Sequence, residues 1–350
     1  MTLPTAAAFA LIFVVAFALS AAITPLARRL GLRLGLADEP GGRRRHTGRI
    51  SRLGGIAMFV AFMAAVTLTL VFPHWFPPTQ DPNEHRRLLG VLIGSVVVTA
   101  AGLWDDRREM TGRQQLVVQF VAAGIALASL IFIQIINNPF TDRQIVFPWL
   151  VTVPLTVFWV VGAMNTVNLL DGLDGLAAGV AAIAAALLAI HMIRAGQTSV
   201  ALLPLALLGA TLGFLPYNFF PARVFMGSTG SFFLGYAVGT LSIVAGGKVA
   251  TLLLVLGIPI IDVAWQIVAR VRRHQPLGQG DRGHLHFRLQ DMGWSQRRIV
   301  LLYYLFCALF GAVALGIPSR LFKLVALGAL AVLVVGALAW ASRRGGSQSG

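Results

Sequence analysis

The chain has 350 residues, of which 57% are hydrophobic and 12% charged, and its mean hydropathy is +0.78. A soluble domain is nearer half apolar and a quarter charged, so disorder, a collagen-like repeat, a small disulfide scaffold and a soluble globular enzyme are set aside. The net charge is +15, but the basic residues cluster in loops between apolar runs, where membrane orientation rather than nucleic acid accounts for them.

Eleven apolar segments are predicted as membrane-spanning helices, at 4–25, 53–72, 88–104, 115–136, 148–164, 176–193, 200–216, 230–246, 249–269, 298–316 and 322–341. About 17–25 apolar residues cross the roughly 30 Å of bilayer hydrocarbon. Each crossing must be helical, because lipid offers no partner to backbone N–H and C=O groups. No strand-period alternation is present, which excludes a β-barrel. The expected fold is therefore all-α, one polytopic membrane domain over 1–350 with a short tail at 342–350.

The first segment has no basic residue before it, and Arg28 and Arg29 follow it. It reads as an uncleaved helix with its N-terminus outside. Parity then places 26–52, 105–114, 165–175, 217–229, 270–297 and the C-terminal tail on the cytoplasmic side. Seven of the 28 Lys and Arg fall outside (Arg86, Arg87, Arg143, Arg194, Lys248, Arg320 and Lys323), and the other 21 lie in the inner loops or at their edges. Of 13 acids, only Asp81, Glu84 and Asp142 fall outside. Orientation takes little notice of acids, so their inner clustering suggests a cation site. The single Cys307 cannot form an intrachain disulfide.

Six polar features interrupt this pattern on the inner side. Asp38 precedes an Arg-rich loop that carries His46 and Arg52. Asp105 and Asp106 close the third segment; two adjacent carboxylates need exposure, a basic partner or a shared divalent cation. In N-T-V-N-L-L-D-G-L-D-G, spacings of three put Asn165, Asn168, Asp171 and Asp174 on one side of a helix end, if the helix continues. The bland alternative makes Asp174 an N-cap and the asparagines inter-helix bonds. Gly227-Ser228-Thr229-Gly230-Ser231 precedes the eighth segment, as an anion seat at a helix N-terminus or a capped turn. His284, His286 and Arg288 lie in the long basic loop and suit a diphosphate. Asp262 follows Pro259, a residue that kinks or breaks a helix, and needs a partner, for which nearby arginines are candidates.

Taken together and in this order, the motifs resemble the polyprenyl-phosphate N-acetylhexosamine-1-phosphate transferases (glycosyltransferase family 4), including the phospho-MurNAc-pentapeptide translocases. The resemblance runs over about 26–305. It rests on D-x-P…R-L-G-G at 38–55, the D-D pair, N-x-x-N-L-L-D-G-L-D-G-L, Y-N-F-x-P-A-R-V-F-M-G at 217–227 and D-R-G-H-L-H-x-R-L at 281–289. The last loop is more similar to the N-acetylglucosamine branch. The resemblance implies transfer of HexNAc-1-phosphate from a UDP-N-acetylhexosamine to undecaprenyl or another polyprenyl phosphate, with release of UMP. The implied setting is the cytoplasmic face of a bacterial inner membrane, and the implied partners are membrane lipids and a homodimer mate. It implies Mg2+, or Mn2+, on Asp171 and Asp106. Asp105, Asp106, Asp171 and Asp174 are then catalytic, and Asp38, His46, Arg52, Asn165, Asn168, Ser228, His284, His286 and Arg288 bind substrate. The chain departs from the family's M-G-D-x-G-S, since Ser228 stands at the acid, and Phe287 stands where many members have His. A weakened relative that binds without turnover is the second reading. A secondary transporter, with no internal repeat to support it, is the third.

Overall fold

The computed structural model describes residues 3–39, 48–141, 143–246, 249–272, 274, 283–317 and 319–345. The order of the helices is α1 (Thr5–Arg33), α2 (Gly54–Val71), α3 (Glu84–Arg108), α4 (Gly112–Ala128), α5 (Trp149–Leu170), α6 (Leu176–Arg194) and α7 (Leu202–Asn218). These are followed by α8 (Gly227–Val244), α9 (Val249–Val255), α10 (Gly257–Arg272), α11 (Leu285–Asp291), α12 (Gln296–Gly316) and α13 (Arg320–Gly345). Two small antiparallel pairs complete it, β1 (Ala37–Asp38) with β2 (Ile50–Ser51) and β3 (Ile135–Asn137) with β4 (Gln144–Val146).

Each of the eleven predicted segments falls on a helix or, for 249–269, on the bent pair α9–α10. Seven helices are long and apolar enough to cross a membrane, and eight if the bent pair forms one span. The protein is thus a helical polytopic membrane protein. The segments beyond those eight have local explanations. Helix α7 is apolar but only 17 residues long. Helix α8 is rich in Gly, Ser and Thr and buried from Thr229 to Ile243, so it needs no lipid-facing apolar surface. Helix α4 stops at Ala128, eight residues short of the predicted end. Leu130 takes a left-handed φ of 60°, and the chain then turns into the β3–β4 hairpin.

The bend of 78° between α9 and α10 also has a local cause. Pro259 has no N–H to offer the carbonyl four residues back, and that carbonyl belongs to Val255, the last residue of α9.

Helix α8 is the axis of the bundle. Lipid tails are as apolar as Leu, so membrane helices associate through small residues that let backbones approach. A Cβ on Gly102 of α3 would lie 2.5 Å from Thr229 Cα, one on Gly55 of α2 would lie 2.2 Å from Gly230 N, and one on Gly235 of α8 would lie 2.6 Å from Met164 Cα in α5. A similar seam joins α7 to α1. Gly209 and Gly213, spaced as G-x-x-x-G, would each meet an α1 carbonyl oxygen at 2.4 Å if they carried a Cβ. The outward faces are apolar, with Leu150, Phe158 and Val332 between 74% and 88% exposed. The C-terminal ends of α3, α5 and α7 and the N-terminal ends of α2, α6, α8 and α12 meet at one end of the bundle.

Gly102→Ala should lower the melting temperature of the detergent-solubilised protein, with a cost of about 1–3 kcal/mol for overpacking. The clash there is with backbone that cannot rotate away. Gly124→Ala in α4, where an added Cβ meets nothing within 4 Å, should be neutral or slightly stabilising by helix propensity. A matched pair of thermal melts checks this contrast.

Candidate active site

At the shared end of the bundle, the acids at the end of α3 meet the start of α8. Asp106 Oδ1 accepts the Ser228 N–H at 2.8 Å, and Oδ2 accepts the Thr229 N–H at 3.0 Å and the Thr229 hydroxyl at 2.6 Å. Asp106 therefore caps α8 from another helix, at the positive end of its dipole. Asp105 Oδ1 accepts the Met110 N–H at 2.7 Å and the Gln115 amide at 3.2 Å, and Oδ2 accepts the Ser228 hydroxyl. Six donors thus serve two adjacent, buried carboxylates, which is how the like charges are tolerated. The backbone N–H groups of Ser228 and Thr229, read from sequence as an anion seat, face the Asp106 carboxylate.

Gly227 makes this approach possible. Its φ is +66°, and a Cβ there would lie 2.5 Å from both Asp106 Oδ2 and the Arg52 carbonyl oxygen. Either fact alone requires glycine.

The R-L-G-G segment is sewn to the same turn. The Phe225 N–H donates to the Ser51 carbonyl at 2.8 Å, and the Gly54 and Gly55 N–H groups donate to Phe225 and Met226 carbonyls, each at 3.0 Å. Arg52 is in turn held by Asp38 Oδ1, through Nε at 2.9 Å and through a second guanidinium nitrogen. Asp38 is buried and paired with Ile50 across β1–β2. An ion pair this buried contributes position more than stability. His46 lies outside the described residues.

The N-x-x-N-L-L-D-G-L-D-G segment does not continue as a helix. Helix α5 ends at Leu170, Asp171 follows it, and Gly175 takes a left-handed φ of +80° before α6. Asn165 exchanges two hydrogen bonds with buried Gln119 of α4, at 2.7 and 3.2 Å, so it clamps two helices. Asn168 accepts the Ser231 hydroxyl at 2.8 Å and ties α5 to α8. Asp174 is not the N-cap of α6; its Oδ2 accepts the Ala222 N–H at 2.9 Å. Asn218 was not singled out from sequence, although it lies in the Y-N-F motif. It is buried, accepts the Gly175 N–H at 3.1 Å and donates to the Val224 carbonyl at 3.0 Å, so it joins this turn to the loop before α8.

Asp171 is different. It is half-buried, and among the described residues its carboxylate has no hydrogen-bond donor. Burial, with the Asp106 and Asp174 charges nearby, pushes its pKa well above the usual carboxylate range, and Arg52 only partly offsets them. Among the described residues no three His, Cys, Asp or Glu side chains form a metal cage. The Asp106 charge lies near enough to Asp171 to raise it, and two neighbouring carboxylates are the donors that could hold a hard cation sharing its remaining positions with water and phosphate.

The H-L-H-x-R segment packs against the same turn. His284 and His286 are buried, and their rings stack at 5.7 Å with 8° between planes. A Cβ on Gly172 would lie 2.6 Å from Phe287 Cζ and 3.0 Å from His286 Nε2, so this loop lies directly on the Asp171–Asp174 turn. The partner of Asp262 is His284 rather than an arginine: His284 Nδ1 lies 3.0 Å from Asp262 Oδ2. Arg288 donates to the Gly283 carbonyl at 2.6 Å.

Fixed carboxylates, a guanidinium and imidazoles thus converge at the end of a membrane helix bundle, groups that can hold and offset the charge of a phosphoryl group in transfer. Comparison with known proteins agrees. Residues 88–246 match the family model described as glycosyl transferase family 4. A Bacillus subtilis protein named probable undecaprenyl-phosphate N-acetylglucosaminyl 1-phosphate transferase is 32% identical over 313 residues, covering 88% of this chain and 84% of its own length. The Mycobacterium tuberculosis decaprenyl-phosphate N-acetylglucosaminephosphotransferase is 31% identical, over 91% of this chain and 85% of its own. The Geobacillus kaustophilus phospho-N-acetylmuramoyl-pentapeptide-transferase is 32% identical, over 88% and 96%. The chain belongs to the glycosyl transferase family 4 of polyprenyl-phosphate hexosamine-1-phosphate transferases, enzymes that transfer substituted phosphate groups.

The raised pKa of Asp171 has a consequence for stability. The folded state holds this proton more tightly than the unfolded chain, so stability is full below the ordinary carboxylate pKa and falls as pH rises through the higher folded value. Asp171→Asn removes that loss. In chelator the variant should melt above the parent at neutral pH, and the gap should close as pH falls below about 4, the unperturbed Asp value. Melting curves at the two pH values measure it.

Proposed function

We propose that this chain transfers HexNAc-1-phosphate, with GlcNAc-1-phosphate the first choice, from a UDP-sugar to undecaprenyl or a related polyprenyl phosphate. The reaction releases UMP and starts an envelope polysaccharide. The observation that carries the reading is the convergence of Arg52, Asp105–Asp106, the Asp171 turn and the His284–Arg288 loop at one end of the bundle. The printed names of the Bacillus and mycobacterial relatives support the acceptor and the sugar.

In this reading an oxygen of the lipid phosphate attacks the phosphorus that bears the sugar. The bond from that phosphorus to the oxygen bridging to UMP breaks, and UMP leaves with the electron pair. Asp105, held by three donors, takes the proton of the acceptor phosphate where one is present. Arg52, His284, His286 and Arg288 offset charge on the diphosphate. Asp174, Asn165 and Asn168 keep the turn and the helix ends in register around it. Asp171 and Asp106 would hold Mg2+, or Mn2+ in its place, which would neutralise diphosphate oxygens. Ser228 leaves this site one carboxylate fewer than the family pattern, and a hydroxyl is a poorer ligand for a hard cation.

The assay is purified protein with undecaprenyl phosphate, Mg2+ and a panel of UDP-sugars, scored for UMP. UDP-GlcNAc should be the best donor, chelator should stop release, and Asp106→Ala should lower the rate about 100-fold or more, as loss of a transition-state contact does. Ser228→Asp should lower the Mg2+ concentration for half-maximal rate. No UMP with any donor would sink the reading.

We also read eleven crossings, with the N-terminus outside and both the site and the C-terminus in the cytoplasm of a bacterial inner membrane, on the 21-to-7 charge asymmetry. Native Cys307 is buried, so single exposed cysteines report sidedness. In intact cells an impermeant maleimide should label Phe140→Cys and spare Glu109→Cys.

A further inference from the structure

Asp262 and Gln266 lie four residues apart on one face of α10 and are both buried. Gln266 donates its amide to the Gly283 carbonyl, and Asp262 holds the two residues that follow. Asp262 Oδ1 accepts the Leu285 N–H at 3.0 Å, and Oδ2 lies 3.0 Å from His284 Nδ1. An ionised carboxylate only accepts hydrogen bonds, so His284 Nδ1 must carry the proton. Among the described residues, Nε2 has no hydrogen-bond partner. The His284 ring is fixed a second time by its stack on His286, which itself abuts Gly172 beside Asp171.

We propose that Asp262 is a positioning residue of the transferase. By bonding the Leu285 N–H and His284 Nδ1–H together, it fixes the tautomer and ring orientation of His284, so that Nε2 is the nitrogen that meets the donor diphosphate. The inference rests on the function proposed above, in which His284 binds that diphosphate.

Asp262→Asn is a sharp probe because its outcome at His284 is determined. The Leu285 N–H still requires an oxygen, so the new amide keeps its oxygen there and turns its NH2 toward His284 Nδ1. That nitrogen must then accept, and the proton moves to Nε2. The test is a double-mutant cycle of D262N and H284Q, read as kcat/KM for UMP release, with KM for UDP-GlcNAc and for undecaprenyl phosphate measured separately. D262N should lose about 10–100-fold, the range seen when the partner that fixes a metal-ligating histidine's tautomer is lost, with the loss in KM for UDP-GlcNAc and not for the lipid. In the H284Q background the same change should cost less than twofold. Equal losses in both backgrounds would overturn the proposal, because Asp262 would then act independently of His284. So would a D262N protein that fails to fold while H284Q folds, since Asp262 would then be structural. An inactive parent that also shows no UDP-GlcNAc-dependent thermal shift would overturn the functional reading, and this inference with it.

Discussion

The structure depends on a contact between a pair of carboxylates and a helix end. Asp105 and Asp106 terminate α3, and three donors at the first turn of α8 hold Asp106 there. Because α8 is the buried axis, this contact fixes α3 against the centre of the bundle, and the other pieces of the site are placed relative to it. It works only where backbones nearly touch, which is why Gly55, Gly102 and Gly227 surround it. Burying two acids in this way is costly unless each oxygen is served, and the served geometry leaves little freedom in where the carboxylates point.

The site then has a rigid side and an electrostatically unsatisfied side. Asp38–Arg52, Asn165–Gln119, Asn168–Ser231 and Asn218 between two loops are closed polar contacts that lock elements together. Asp171 stands apart from them. It lacks a protein donor among the described residues and is raised by its acidic neighbours. A group in that condition is unfavourable to the resting fold and marks where a cationic partner has the most to gain.

Much of this was legible in the chain. The apolar runs located the helices, because lipid forces every crossing to be helical, and several of the acids singled out from sequence, Asp105, Asp106, Asp171 and Asp174, do lie at one end of the bundle. The D-D pair and the H-L-H loop stood out as polar groups beside a membrane, whereas Arg52 was named as a site residue only through the family resemblance. What could not be read was which atom pairs with which. Asn165 and Asn168 carry the same spacing signal as Asp171, yet Asn165 bonds Gln119 of α4 with both ends of its amide and Asn168 accepts the Ser231 hydroxyl of α8. Asp262 was expected to meet an arginine and meets His284. Gln119 and Asn218 gave little signal, since one amide in a helix looks like any other until its partner is known. The eleven apolar segments fall on helices, of which seven or eight are long and apolar enough to cross, but α4 stops early because Leu130 leaves the helical region, an event that hydropathy does not encode.

The cap on α8 sets a division of labour. In many phosphate-handling folds the free N–H groups at the start of a helix receive the anion. Here a side chain of the protein already sits in that cradle, so the axis helix has spent its positive pole on internal architecture. Countercharge for an incoming phosphate must be recruited from elsewhere around the rim, from guanidinium, imidazole or a mobile cation, and that makes binding more responsive to ionic conditions than a backbone cradle would be.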